Sequence, residues 1–309
     1  MQMMTVPLVL AALALAAACG NSASPISPGS PVPSTSPPAT SAIAGCGVTK
    51  STAGTPVGVN GGPWTHNVAV GDSSDGVTVS NLREVLARAS VPDGVRLPDG
   101  STGIYYVNGE TDGVWLARVS GTTITPVSPI TIDGVFRPEG VVDPDATFVN
   151  GKIRLAYLNG FGAPGNGPRA MCLADSADGL TFTTVANAWD LGTGSSMTDP
   201  SLLQLQDGSW LMAISDGQTT RLGRSSSGLA FTEYTRVTAG GVPELGLTLD
   251  GRPRLYVCAG GIVSYVSSDN GTSWTFEATV VRPGALGRMI ACDPSWVPGA
   301  NLFVFKTGT

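Results

Sequence analysis

The sequence predicts an all-β chain folded as a five-bladed β-propeller of four-stranded antiparallel blades, and three observations carry this. Only 13% of the 309 residues are charged, while glycine (41) and proline (23) are abundant. Few charges and many turn-formers suit short strands and tight turns, not a helical bundle or a charged disordered chain. A unit of roughly fifty residues recurs along the chain. Two kinds of half-unit alternate, five of each, so the last half can complete the first and close a ring.

The elements follow in chain order. Residues 1–18 read as a signal peptide: Thr5–Ala18 is apolar but short for a membrane span. It ends at Ala16-Ala17-Ala18-Cys19-Gly20, which resembles a bacterial lipoprotein cleavage site with Cys19 as the lipidated residue. Residues 19–45 form a Ser/Pro/Ala tether with no apolar period, semi-extended and unable to bury a core. Residues 46–309 are the propeller domain. The expected location is extracytoplasmic, with a lipid anchor as the only membrane contact, at the cell surface or in the periplasm.

One half-unit is a strand start marked by proline, at Pro92, Pro144, Pro200, Pro243 and Pro294. A glycine turn and an alternating strand follow most of them; in KIRLAYLNG, Ile153, Leu155 and Tyr157 share one face. The other half-unit is a hairpin: Ser73–Val79, Val119–Thr125, Ser176–Phe182, Ser225–Phe231 and Ser267–Trp274. The aspartate of such a turn accepts backbone N–H groups and the glycine takes positive φ. Closure is expected between the two C-terminal strands and the hairpin strands at Asn67–Ser80. A six-bladed ring with extra strands from residues 46–66 is the alternative. Residues 81–89 (NLREVLARA) fit either a short helix or the end of an outer strand.

Leaving Cys19 aside, Cys46, Cys172, Cys258 and Cys292 remain, and four cysteines allow three pairings. Cys46 and Cys292 lie near the expected seam and should pair, leaving Cys172 and Cys258 as buried thiols.

The net charge of −6 without a basic stripe argues against nucleic-acid binding. The single histidine, His66, makes a zinc site or a histidine-based triad hard to build and reads as a surface residue. No cofactor and no dedicated metal site are predicted, although ringed carboxylates and carbonyls suit a hard cation such as Ca²⁺. A monomer is expected.

In a propeller the innermost strands line a central channel, so their starts converge. Here the starts carry Asp93, Asp143, Asp145, Asp199, Glu244 and Asp293, with Arg137 just ahead of Asp143. Converging carboxylates perturb one another's pKa, which separates an acid from a base. Trp296 fits a sugar-stacking platform or plain core.

These Asp-Pro starts resemble those of the five-bladed glycoside hydrolases of the arabinanase, β-xylosidase and invertase type. TDPSLLQLQDGSW (Thr198–Trp210) is similar to the segment with that group's auxiliary aspartate, implying this role for Asp199. VPEL (Val242–Leu245) is similar to the segment with the general acid, implying Glu244. DPDATFVNG is similar to the segment with the base, implying Asp143, although the first repeat has Val91 where an aspartate might stand. The resemblance covers residues 67–309. It implies cleavage of an oligo- or polysaccharide by inversion, with acid and base about 6.5–9.5 Å apart. Asp93, Asp145, Arg137, Asp293 and Trp296 would bind substrate.

SSDNGTSW (Ser267–Trp274) also resembles the Asp box of sialidases, a structural device in those families. Phe136-Arg137-Pro138 faintly resembles the sialidase Phe-Arg-Ile-Pro start, with Arg221, Arg288 and Tyr234 as the further residues an exo-sialidase would need. A third reading is a non-catalytic propeller that binds a glycan or a protein, since architecture alone does not imply catalysis.

Overall fold

A computed structural model describes residues 43–50, 62–162 and 168–309. The signal segment, Cys19 and nearly all of the tether lie outside the described residues.

Five four-stranded antiparallel blades form a β-propeller. Blade I comprises Ala89–Arg96, Thr102–Asn108, Val114–Ser120 and Thr123–Pro129. Blade II comprises Val142–Val149, Lys152–Asn159, Pro168–Ser176 and Thr181–Thr193. Blade III is Thr198–Gln204, Trp210–Asp216, Thr219–Ser225 and Thr232–Val237; blade IV is Gly241–Leu247, Pro253–Cys258, Ile262–Val266 and Thr275–Val281. Blade V joins Ile290–Val297 and Leu302–Gly308 to His66–Asp72 and Ser80–Ala87, from the other end of the domain. The joint is the antiparallel pairing of His66–Asp72 with Leu302–Gly308.

The six-blade alternative is not what forms. Residues 62–64 make a single 3₁₀ turn, and Thr49–Lys50 pair with Pro138–Glu139 beside blade II. Residues 81–87 are strand: Asn67 faces Ala87 and Val68 faces Leu86 across the pair. Nine residues are too few for a helix to hold itself in water, so ladder pairing decides the conformation.

The core is divided into five clusters, one between each pair of neighbouring blades. Period-two alternation produces this division. In the second strand of blade I, Tyr105 packs toward blade II while Ile104 and Tyr106 pack toward blade V. Both faces of a middle strand are thus buried, so Thr102–Val107 is buried throughout, whereas the outer strand Ser80–Ala87 is mostly exposed or half-buried.

The predicted hairpin turns hook the blades together. Asp178 Oδ1 accepts the N–H groups of Leu180 (2.8 Å) and Thr181 (2.7 Å), and Ser176 Oγ accepts that of Gly179 (2.9 Å). Asp75 and Asp269 do the same in their turns. The turn carbonyl then accepts a tyrosine hydroxyl from the preceding blade: Tyr105 to Gly179, Tyr234 to Gly271 and Tyr256 to Gly76. Gly76 has φ 78°, and a Cβ there would lie 2.5 Å from the Tyr256 hydroxyl, so only glycine fits.

The disulfides differ from the expected pair. Cys46 bonds Cys172, and Cys258 bonds Cys292. The segment around Cys46 does not run to the closing seam. It lies on blade II, where Asn159 Nδ2 donates to the carbonyls of Gly45 and Gly47 and Asn187 Nδ2 to that of Ala44. Cys172 is therefore the thiol within reach. Cys292 instead bridges to blade IV.

Candidate functional site at the strand starts

Each inner strand begins with the same local device. Val91, Asp143, Asp199, Val242 and Asp293 all precede proline, and all have φ between 48° and 53°. This left-handed conformation is uncommon for non-glycine residues and a genuine outlier for valine. Strand register breaks at each of the five positions, so each inner strand bulges there. The bulge splits the side chains before and after the proline into two sets.

The residues after the prolines form a belt. Asp93 accepts the N–H of Ala146, Asp145 that of Leu202 (3.0 Å), Ser201 that of Leu245 (2.8 Å) and Ser295 that of Gly94 (3.0 Å). Each bond runs from one blade to the residue after the belt position on the next. At the fifth junction, between blades IV and V, Glu244 makes no such bond among the described residues. Its Oε2 accepts the Ser201 hydroxyl at 2.9 Å, and it shares a hydrogen bond with Asp145. The Cys258–Cys292 disulfide spans this junction. Ser201 and Ser295 were not singled out in the sequence, although both follow Asp-Pro, a signal that was legible.

The residues before the prolines form the second set. Asp143 Oδ2 accepts the N–H of Asp199 at 3.3 Å, the Thr198 hydroxyl bonds Asp199, and Lys306 forms an ion pair with Asp293. The cation of the site is therefore Lys306. Arg137, expected here, instead donates to the Thr111 carbonyl at 2.7 Å and does not line the central cavity. Nothing in sequence spacing marked Lys306, which arrives from the second strand of blade V.

Asp93, Asp143, Asp145, Asp199, Glu244 and Asp293 all line one narrow central cavity of about 20 Å³. A wider cleft of about 220 Å³ opens on the side of Asp143, Asp199 and Lys306, with His66, Thr198 and Phe161 in its wall. Another, of about 320 Å³, opens toward the far ends of the inner strands, past Asp145, Glu244 and Trp296. Asp143 and Asp199 thus share one mouth, while Glu244 belongs with Asp145 and Asp93 toward the other. Trp296 is 9% exposed and its Nε1 donates to the Ser73 carbonyl, so it serves mainly as core.

Burial governs the protonation of the site. It holds the Asp143 carboxyl well above the usual range, with the charge of Asp199 adding to the effect. Burial, then the charge of Asp293, pushes Asp199 up to about 6. Asp93 is pushed up to about 7 by burial; Asp145 is raised by burial and then by the charge of Asp93, and Glu244 by burial and then by the charges of Asp145 and Asp93. Burial opposes the charge on Lys306, but Asp293, Asp199 and Asp143 hold it protonated. His66 is not a plain surface residue: its Nδ1 lies 2.9 Å from Ser90 Oγ, and burial followed by the charge of Lys306 lowers its pKa to about 4.

One oxygen from each of Asp93, Asp145 and Glu244 falls within 4.8 Å of the others, an all-oxygen donor set that would suit a hard cation. The residues raised for a sialidase do not converge. Arg221 pairs with Asp216 and Glu233, Arg288 with Glu84, and Tyr234 bonds the Gly271 carbonyl.

No protein-family model matches the chain, and no curated protein matches it. Solved structures do. A thermostable family-43 glycoside hydrolase superposes with TM-score 0.55 at 14% identity, over 72% of this chain and 84% of that one. An α-L-arabinofuranosidase of Clostridium thermocellum gives 0.52 at 15%, over 68% and 78%. A protein of unknown function from Dyadobacter fermentans gives 0.51 at 16%, over 79% and 84%. At such identities the likeness establishes a shared five-bladed fold.

Proposed function

We propose that this propeller is a glycoside hydrolase-like protein that acts on an oligo- or polysaccharide in the cleft over Asp143 and Asp199. The observation that supports it is the pair itself: two adjacent buried carboxylates whose proton affinities differ, in the wall of an open cleft. We assign the proton of the pair to Asp143, whose carboxyl burial and the charge of Asp199 push up, and the ionised role to Asp199. Asp143 then donates a proton to the leaving glycosidic oxygen, and Asp199 takes one from the attacking water. Lys306, already neutralised by Asp293, holds the Asp199 side of the mouth in place.

This reading moves the acid from Glu244 to Asp143, so two variants separate the assignments. Sugar release from a panel of arabinofuranosides, xylosides, fructosides and galactosides should be lost in Asp143→Asn and retained in Glu244→Gln. Release lost only in Glu244→Gln would restore the carry-over from the glycoside hydrolases. The anomer first released, read by NMR, tests these roles: inversion requires the two carboxyls about 6.5–9.5 Å apart with water between them, and a retained anomer would make Asp199 the nucleophile, as suits a closer pair.

A second reading, a non-catalytic glycan-binding propeller, draws on one observation: two of the five positions before proline are Val91 and Val242, which leave the mouth without a full carboxylate ring. Sugar binding with no release from any panel member would favour it. We also propose lipid anchoring at Cys19 and an envelope location; two disulfides suit an oxidising compartment. Palmitate labelling of the wild type, absent in Cys19→Ala, tests this.

A further inference from the structure

His66 is the one histidine of the chain, and no step proposed above uses it. It stands in the wall of the cleft that holds Asp143, Asp199 and Lys306. The strand ladder puts it there. His66 lies opposite Gly308 and Val68 opposite Lys306, so His66 and Lys306 leave the same face of neighbouring strands in blade V. That face meets Ser90, near the start of the inner strand of blade I.

The surroundings orient the ring. Nδ1 lies 2.9 Å from Ser90 Oγ. The Cδ2 edge rests on Gly308: a Cβ there would lie 2.8 Å from Cδ2, so any larger residue would push the ring away. Nε2, at the ring tip, bonds no described residue and is not shut off from solvent, so it faces the cleft.

The same contacts select the tautomer. Ser90 is 1% exposed, and its hydroxyl has no other acceptor among the described residues. A buried hydroxyl proton left unpaired is costly, so Ser90 gives it to Nδ1. The other nitrogen of a neutral imidazole then carries the ring hydrogen. The ring is neutral, because burial and then the charge of Lys306 lower its pKa to about 4. The remaining donors in this wall are committed. The Thr198 hydroxyl goes to Asp199, the Ser90 hydroxyl to His66, and Lys306 is ion-paired with Asp293.

We propose that His66 is a binding residue of the cleft: its Nε2–H, held in that tautomer by Ser90, donates a hydrogen bond to an oxygen of the bound sugar. The contact rests on the reading of this cleft as a glycosidic site. Asp199, ionised, can only accept, and Asp143 gives its proton to the leaving oxygen. A sugar therefore needs a separate donor for its own acceptor oxygens. A neutral N–H supplies one without adding charge beside the two carboxyls.

The test is NMR of the full chain labelled with ¹⁵N in histidine, together with kinetics. One histidine gives one ring system, so the signal needs no assignment. Without ligand near neutral pH, the long-range ¹H–¹⁵N correlation should show Nε2 protonated and Nδ1 bare. Ser90→Ala should shift the ring toward a mixture of tautomers. A wild-type ring protonated at Nδ1 would overturn the proposal. The substrate that the wild type cleaves is then added to saturation to whichever of Asp143→Asn and Glu244→Gln is inactive, and the Nε2 signal should move. In the active protein His66→Leu should raise KM about five- to tenfold with kcat changed less than about threefold. His66→Gln, whose side-chain amide still donates, should recover most of the KM. A ring signal unmoved by bound substrate, or a wild-type KM in His66→Leu, would overturn the contact and leave the hydrolase reading standing. No cleavage of any panel member would overturn that reading, and this contact with it.

Discussion

Lowering the pH from about 8.5 to about 6.5 should stabilise this protein. Asp93 carries the argument because its pKa rises from 3.8 to about 7 on burial. Below 3.8 the group is protonated in both the folded and the unfolded chain. Between 3.8 and about 7 only the unfolded chain releases the proton, so rising pH favours unfolding, and above about 7 that loss is complete. Over the window Asp93 alone returns ~0.8 kcal/mol, and Asp199, raised only to about 6, adds ~0.2 kcal/mol. Burial raises Asp143, Asp145 and Glu244 in the same direction. Each adds up to ~1.4 kcal/mol per pH unit over which only the folded chain keeps its proton. His66, lowered from 6.5 to about 4, opposes the trend, because the unfolded chain binds its proton first; by pH 6.5 this takes back ~0.4 kcal/mol. At ~2–4 °C per kcal/mol, Tm should rise by at least ~1 °C. Calorimetry at constant ionic strength reads this directly, and Asp93→Asn should flatten the slope whatever it does to Tm itself. A Tm that is flat or falls across the window would refute the reasoning.

Further outcomes follow from the belt, the disulfides and the bulges. Ser201→Ala removes the acceptor of Leu245 N–H and the donor to Glu244, and should cost ~1–3 kcal/mol in urea unfolding with an unchanged m-value. Non-reducing peptide mapping should recover Cys46–Cys172 and Cys258–Cys292; a Cys46–Cys292 peptide would contradict the chain path over blade II. Cys46→Ser with Cys172→Ser should lose ~2–4 kcal/mol by freeing that segment. Val242→Asn should stabilise by ~1 kcal/mol, because asparagine tolerates the left-handed region that valine resists; a lower Tm would mean that valine packing outweighs the strain.

Much of the architecture is local and was legible. Recurring prolines marked the five inner strands, because proline suits a bulged edge strand next to the axis. Turns such as Ser176–Phe182 were legible because aspartate and glycine bond within a few residues of themselves. Closure of the ring followed from half-units that needed partners. The carboxylates lining the axis could be named because each stands beside one of those prolines.

What needed the tertiary structure was everything set by chain path and bulge. Residues 81–87 had a helical face on paper, yet pairing with His66–Asp72 made them strand. Cys46 found Cys172 because the segment preceding the ring docks on blade II, a contact across 126 residues that no local spacing encodes. Glu244 and Asp143 look equivalent in sequence, each one residue from a proline. The left-handed residue before each proline places one side chain in the mouth and the other in the belt. That single backbone turn separates a carboxylate in the wall of the open cleft from one held in the belt.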